Sequence, residues 1–148
     1  ESIGFNYRMT ELQAALGLSQ FTRLEQYIKK RNEIRTVYDE HLSNLPLQLP
    51  KVQDDVLSST HLYIVKFKED KLKNRNNLYE HLVQSGIGVN LHYIPIYRHP
   101  FYLNLGFKKG HCPNAEHYFQ SAISIPVHQS MSEEDVKTVI DSVMSFFE

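Results

Sequence analysis

The chain has 148 residues, of which 41% are apolar and 22% are charged, a composition typical of one globular domain. Sixteen Lys and Arg residues nearly balance seventeen Asp and Glu residues, and the formal net charge of -1 gives no long-range attraction for nucleic acid or for an anionic membrane. No apolar stretch approaches the roughly 20 residues that cross a bilayer. We therefore expect a chain that binds neither nucleic acid nor membrane.

Cysteine and histidine usage indicates the compartment and argues against a metal. Cys112 is the single cysteine, so the chain forms no internal disulfide, and we expect a reducing, cytoplasmic environment. The spacing of His111, Cys112 and His117 matches no zinc site, so we expect no metal. The sequence starts at Glu1 with neither an initiator methionine nor a signal segment, which indicates a piece of a longer protein.

The first forty residues predict helices. Thr10 and Gln13 have the spacing of a capping box, in which two side chains satisfy amide donors at a helix start. Apolar residues recur from Leu12 onward at intervals of three and four, which is the period of a helix with one buried face. We predict one or two long helices between residues 10 and 41, bent near residues 19–22.

The remainder of the chain alternates strand patterns with helical ones. β-Branched and aromatic residues mark the strands, whereas apolar residues at helical spacing mark the helices. The predicted elements are an irregular connection over 44–59, strands over 61–67, 88–93 and 122–126, helices over 71–85 and 113–120, an aromatic loop over 96–111, and a final helix that begins at Ser132. The sum is a small α/β domain of about three short strands with helices packed on one side, preceded by a long helical segment.

The common catalytic motifs are absent from the sequence. It contains no Gly-x-Gly-x-x-Gly dinucleotide motif, no Gly-x-Ser-x-Gly hydrolase motif and no phosphate-binding P-loop. Lys29 and Lys30 lie among charged residues of a predicted helix, where a solvated helix face is a simpler interpretation than a nucleophile. No catalytic residue is therefore nominated in this chain.

Asn6, Tyr7 and Arg8 immediately precede the predicted start of the first helix. An amide, a phenol and a guanidinium at a helix N-terminus can hold a phosphate or another anion. The alternative is that Arg8 is an ordinary surface charge and that Asn6 forms a turn. Composition alone leaves both interpretations open.

Polar and aromatic residues also follow the predicted strand over 88–93. Strand alternation places Asn90 and His92 on one face, and the next loop contains Phe101 and Tyr102. Aromatic rings stack on sugars and bases while His and Arg bind their oxygens, so this segment is a candidate sugar or nucleotide pocket. The alternative, which the residues alone favour, is that the rings fill a small satellite core beneath a long loop.

Residues 4–17, with the sequence GFNYRMTELQAALG, resemble the signature of the DegT/DnrJ/StrS family, pyridoxal-phosphate (PLP) enzymes that aminate nucleotide-linked keto-sugars. Three later stretches follow the same family in order: 28–38, 86–95 and 124–127. The resemblance thus covers nearly the whole chain. The His92–Tyr93 pair, with Pro95 and Pro100, is most similar to the transaminases that make 4-amino-4,6-dideoxy sugars, including those of the pseudaminic acid pathway.

The resemblance implies an aspartate-aminotransferase-like fold, which is fold type I of the PLP enzymes. In this fold a large cofactor domain precedes a small C-terminal domain, and two copies form a homodimer with active sites at the interface. Residues 1–43 are then expected to be a helical interface segment, and residues 44–148 the small α/β domain. The large PLP-binding domain, with its Schiff-base lysine, lies outside this chain, so the resemblance places no catalytic residue here.

Cofactor and substrate contacts are carried over only to matching positions. The resemblance implies that Asn6 binds the phosphate of PLP in the neighbouring subunit and that Arg8 lies beside it. The residues that it implies for the nucleotide-sugar substrate are Tyr7, His92, Tyr93 and Tyr102.

The activity that the resemblance implies for the intact enzyme is transfer of an amino group from glutamate to a nucleotide-linked keto-sugar, in cell-surface polysaccharide or glycan biosynthesis. The chain alone is expected to bind no PLP and to be inactive, since the lysine is elsewhere. Two alternatives remain open. One is a non-catalytic binding or regulatory module that keeps the fold, and the other is a sugar dehydratase relative in which a histidine replaces the lysine.

Overall fold

The computed structural model describes residues 4–5, 7–68 and 74–148. Helix α1 (Glu11–Phe21) begins with the predicted capping box: the Thr10 side chain accepts from Gln13 N at 3.3 Å, and Gln13 Oε1 accepts from Thr10 N at 2.9 Å. Helix α2 (Leu24–Leu42) follows after a break of two residues. The predicted helical segment is therefore confirmed, and it consists of two helices whose break at residues 22–23 adjoins the predicted bend near 19–22.

The two helices differ sharply in how they pack. Helix α1 contains no buried residue, whereas α2 buries Ile34, Tyr38 and Leu42 in the core. The exposed large apolar side chains on α1 and in the described residues before it are Phe5, Tyr7, Met9, Leu12, Leu16, Leu18 and Phe21. None of the helices in the described part of the chain has both the length and the apolar character that a bilayer span requires. The apolar surface of α1 is thus left uncovered by the rest of the described chain.

The sheet has three antiparallel strands in the order β1 (Leu47–Gln48), β2 (Tyr63–Phe67) and β3 (Ala122–Ile125). Leu47 pairs with Phe67 at one edge of β2, and Tyr63 pairs with Ile125 at the other. The predicted strands over 61–67 and 122–126 are confirmed as β2 and β3.

The third predicted strand, over 88–93, is wrong. Only Asn90 pairs with the sheet, in an isolated antiparallel bridge to Ser124 on β3. The amide of Leu91 donates to the side chain of Asn90 at 2.8 Å, so the backbone makes a local side-chain contact here instead of continuing as a regular strand. The third strand is instead β1, which lies inside the connection predicted to be irregular, where flanking prolines keep it short.

The remaining helices follow the sequence pattern closely. Helix α3 (Asn74–Gln84) is followed by Gly86, whose φ of 76° is the left-handed conformation expected just after a helix end. The predicted aromatic loop contains a 3-10 helix (Ile96–Arg98) and the short helix α4 (Pro100–Asn104). Helices α5 (Pro113–Ser121) and α6 (Glu133–Ser145) confirm the last two predicted helices, and α6 begins with a capping box at Ser132. Residues 71–73 of the predicted third helix lie outside the described residues.

The core lies on one face of the sheet, under α2, α3 and α6. Tyr38 and Tyr63 are fully buried at its centre, with ring centroids 5.0 Å apart in an edge contact. The Tyr38 hydroxyl donates to Pro126 O at 2.8 Å, and the Tyr63 hydroxyl donates to Asp39 Oδ1 at 2.6 Å. Burial raises the pKa of both phenols above the ordinary value, so they remain protonated donors.

Arg31 on α2 binds backbone carbonyls from two separate loops. Its Nη1 donates to Val127 O at 2.9 Å, to His61 O at 3.2 Å and to Thr60 O at 3.4 Å, while Nη2 donates to Gln129 Oε1 at 3.2 Å. The guanidinium therefore joins the loop before β2 to the loop after β3, both on the same side of α2.

The next residue of α2 reinforces this contact. Asn32 Nδ2 donates to Ser58 O at 2.8 Å, and Asn32 Oδ1 accepts from the Thr60 hydroxyl at 3.0 Å. Thr60 is buried and has a φ of 45°, a left-handed conformation that a threonine rarely adopts. The hydrogen bonds from α2 thus hold a strained turn in place.

We predict that Arg31→Lys lowers the free energy of unfolding of the chain by about 1–2 kcal/mol, because an ammonium cannot reach the carbonyls of both loops at once. Chemical denaturation measures this change. The matched control is Arg23→Lys on the exposed start of α2, which should shift the free energy of unfolding by less than about 0.5 kcal/mol. Equal effects at the two positions would contradict the assigned role of Arg31.

Candidate functional site

The first group of predicted site residues lies just before α1. Asn6 lies outside the described residues, while Tyr7 and Arg8 are exposed, Tyr7 to 91%. The ring of Phe5 stacks on that of Tyr7, with centroids 5.5 Å apart. An exposed guanidinium beside a helix N-terminus fits a phosphate, but the described residues here form no cradle around a pyridine ring. This segment can therefore supply an edge of a cofactor site rather than a complete one.

The second group is built around His92. Its Nε2 lies 2.8 Å from the Ser124 hydroxyl, and that hydroxyl donates to Asn90 O at 3.2 Å. The other ring nitrogen, Nδ1, is buried and has no hydrogen-bond partner among the described residues. The Tyr93 ring makes an edge contact with the imidazole at 4.6 Å, and Tyr93 is 70% exposed. Both ring nitrogens of His92 thus face the protein, and the Tyr93 phenol faces outward.

The aromatic loop forms a small ring cluster of its own. Tyr102 contacts Phe101 at 5.3 Å and Phe107 at 6.0 Å between centroids, and Phe107 contacts His111 at 5.1 Å. Tyr102 is half-buried, whereas Phe101 is 68% exposed. Phe107 and His111 are exposed as well, so the rings form an open surface cluster that a ligand can reach, rather than the satellite core that the residues alone favoured.

Glu116 holds this loop together, and sequence reasoning did not nominate it. Oε1 of this buried carboxylate accepts from the Tyr97 hydroxyl and from Gly110 N, each at 3.0 Å, and Oε2 pairs with Arg98 at 3.1 Å. The Gly110 amide, the Tyr97 hydroxyl and the Arg98 charge lower the pKa of the Glu116 carboxyl. The sequence signal that could have indicated Glu116 is its position three residues before Phe119, which puts both residues on the same side of α5.

The structure keeps the two groups of predicted residues apart. Within the described ranges, no hydrogen bond or ring contact joins Tyr7 or Arg8 to His92, Tyr93 or Tyr102. The described residues also contain no group of three His, Cys, Asp or Glu side chains that could hold a metal ion. Among the described residues, the predicted site residues therefore fall into two groups, one before α1 and one around His92 and Tyr102.

The fold is that of the PLP-dependent sugar aminotransferases of fold type I. PseC of Helicobacter pylori, an aminotransferase involved in the biosynthesis of pseudoaminic acid, matches with a TM-score of 0.88 and 33% identity over 99% of this chain and 40% of PseC. A Streptococcus pneumoniae protein described as a sugar aminotransferase, in its PLP form, matches with a TM-score of 0.86 and 31% identity over 94% of this chain and 36% of that protein. The expected fold class is confirmed.

The chain belongs to the DegT/DnrJ/EryC1/StrS aminotransferase family, whose sequence profile matches residues 1–144. It is 35% identical over 147 residues to the UDP-4-amino-4,6-dideoxy-N-acetyl-β-L-altrosamine transaminase of Campylobacter jejuni. That alignment covers 99% of this chain and 39% of the relative, so the chain spans about two-fifths of the length of the proteins that it matches.

We predict that Glu116→Gln destabilises the aromatic loop near neutral pH and that the difference from wild type disappears in acid. Because the folded-state pKa of Glu116 is lowered, the carboxylate stabilises the fold fully above the ordinary glutamate pKa of 4.5, and this contribution is lost as the pH falls through the lower folded value. Denaturant unfolding of both proteins from about pH 6 down to about pH 3 measures the difference.

Glu80→Gln, at an exposed position of α3, is the matched control and should show no such pH-dependent difference. A constant difference between wild type and Glu116→Gln across this pH range would show that the carboxylate charge does not hold the loop.

Proposed function

We propose that this chain is the small, substrate-side domain of a PLP-dependent enzyme that transfers an amino group from an amino acid, glutamate, to a nucleotide-linked keto-sugar. The observation that carries the proposal is the structural match to PseC over 99% of the chain at 33% identity. The relative from Campylobacter jejuni supports a UDP-linked sugar aminated at carbon 4 as the substrate class. Nucleotide-linked amino sugars are activated donors, which places the reaction in cell-surface polysaccharide or glycan biosynthesis.

The proposal includes a large PLP-binding domain in the same protein. The chain matches only 39–40% of the length of its relatives, which leaves room for such a domain. The uncovered apolar side chains of α1 support a contact of this helix with that domain or with a second subunit, in a homodimer with active sites at the interface. In this proposal residues 1–43 form the interface segment and residues 44–148 form the small domain.

We assign the cofactor side of the site to Asn6 and Arg8. When bound, PLP supplies the electron sink that allows an amino group and a carbonyl group to be exchanged. Arg8 is exposed beside the N-terminus of α1, where its guanidinium can bind two phosphate oxygens at once. The chain's contribution to this side is therefore to hold the phosphate and so to orient the ring.

The substrate side of the site is assigned to Tyr7, His92, Tyr93 and Tyr102. The exposed phenols of Tyr7 and Tyr93 can donate hydrogen bonds to sugar or diphosphate oxygens, and the open edge of the ring cluster at Tyr102 can stack on the sugar or base. These residues bind and orient the substrate, while the proton transfers belong to the cofactor domain.

We also propose that the protein works in the cytoplasm. Cys112 is an exposed free thiol, which suits a reducing compartment, and nucleotide-linked sugars are made and used there.

We predict that the 148-residue chain alone, given PLP, glutamate and a UDP-linked 4-keto-6-deoxy sugar, shows no turnover, whereas the longer protein that contains it aminates the sugar. The physical reason is that the lysine that bonds to PLP lies outside this chain. Formation of 2-oxoglutarate and of the amino sugar measures the reaction. Amination by the chain alone would contradict the assignment, and dehydration without amination by the longer protein would favour the dehydratase alternative.

We predict that Arg8→Ala in the longer protein weakens PLP binding about tenfold to a hundredfold, because charge-assisted hydrogen bonds to the phosphate are lost. Absorbance titration of the PLP-free protein measures the affinity. Arg23→Ala, two residues beyond α1, is the matched control and should leave the affinity unchanged. Unchanged affinity in Arg8→Ala would remove this residue from the cofactor side of the site.

A further inference from the structure

Ser124 connects the sheet to the segment that carries His92 and Tyr93. It lies on β3 with only 5% of its surface exposed. Its N–H donates to Asn90 O at 2.9 Å, and its carbonyl accepts from Asn90 N at 3.2 Å. Its hydroxyl donates to Asn90 O at 3.2 Å and lies 2.8 Å from His92 Nε2. One residue thus provides both the backbone bridge and the side-chain contact that fix this segment.

The hydrogen bonds around Ser124 assign a proton on the His92 ring. Because the Ser124 hydroxyl donates its own proton to Asn90 O, its oxygen accepts from Nε2–H of His92. The other neutral tautomer of His92 has its proton on Nδ1. That nitrogen is buried without a hydrogen-bond partner among the described residues. A buried N–H without an acceptor is destabilising, so the Nε2–H arrangement is favoured.

The imidazole fixed in this way supports the exposed phenol of Tyr93. The two rings meet edge to face, with centroids 4.6 Å apart and planes at 86°. Tyr93 is 70% exposed, so the atoms that a ligand can reach here are those of the phenol rather than the ring nitrogens of His92. The phenol thus packs against the imidazole, and the imidazole is hydrogen-bonded to Ser124.

We propose that Ser124 is a positioning residue for the substrate side of the site: its hydroxyl fixes the imidazole of His92, and the imidazole sets where the Tyr93 phenol is presented. The proposal rests on the proposed function, in which Tyr93 contacts the nucleotide-sugar. His92 then acts through Tyr93 and does not offer a ring nitrogen to the sugar. A buried hydroxyl thereby controls substrate affinity without touching the substrate.

The first test needs no activity. NMR of the 148-residue chain should show His92 as the Nε2–H tautomer and should show the Tyr93 ring resonances shifted by the neighbouring imidazole. In Ser124→Ala, the His92 tautomer signals and the Tyr93 ring shifts should both differ from wild type. In Ser124→Thr, which has a hydroxyl at the same position, both should match wild type. The matched control is Ser121→Ala, since Ser121 is equally buried but its hydroxyl donates to Tyr118 O, away from His92.

The second test uses kinetics of the longer protein. Ser124→Ala should raise KM for the keto-sugar about fivefold or more while kcat changes by less than about twofold, as expected for loss of a binding contact. Ser121→Ala should leave both constants unchanged. In a Tyr93→Ala background, Ser124→Ala should raise KM no further, because the residue through which it acts is gone.

The outcomes separate the two proposals. If the longer wild-type protein aminates no keto-sugar, the proposed function fails, and the NMR comparison alone decides whether Ser124 fixes the ring. If Ser124→Ala leaves the His92 and Tyr93 signals unchanged, the positioning role is overturned whatever the activity. It is also overturned if Ser124→Ala raises KM equally with and without the Tyr93 phenol.

Discussion

The arrangement of this domain depends on backbone carbonyl groups that lie outside the strands and need hydrogen-bond donors from another element. The loop before β2 and the loop after β3 both carry such groups, and α2 supplies their donors through Arg31, Asn32 and the core residue Tyr38. A buried carbonyl without a donor is destabilising, so these hydrogen bonds fix where α2 lies on the sheet. Because Pro126 and Val127 directly follow β3, these hydrogen bonds also fix the end of the strand on which Ser124 contacts His92.

Helix α1 differs from the other long helices in that it contributes nothing to the core. Helices α2, α3 and α6 cover one face of the sheet and build a closed core, whereas α1 keeps its helical form with only a capping box and no buried side chain. Isolated helices shorter than about 12–15 residues are marginal in water, and α1 has 11 residues. Its apolar side chains are therefore left uncovered by the described part of the chain.

Local patterns predicted most of the helices and both longer strands, because capping boxes at Thr10 and Ser132 and runs of β-branched residues carry their own information. The predicted strand at 88–93 was wrong because alternation of residue types does not reveal that backbone pairing with β3 is limited to Asn90. Glu116 was missed because its partners Tyr97 and Gly110 lie 19 and 6 residues before it, separations that no helix or strand pattern predicts. The function was predicted from the family resemblance. Neither group of candidate site residues has a set of residue types that indicates a particular reaction by itself.

The junction between the aromatic loop and α5 offers a natural reporter. Cys112 is the N-cap of α5, its carbonyl accepts from the Tyr97 hydroxyl at 3.2 Å, and it is the one cysteine in the chain. Its thiol is exposed. A thiol-reactive fluorophore or spin label therefore attaches to this chain at a single position, beside the rings of the loop. Movement of the loop can thus be followed spectroscopically without introducing any new residue.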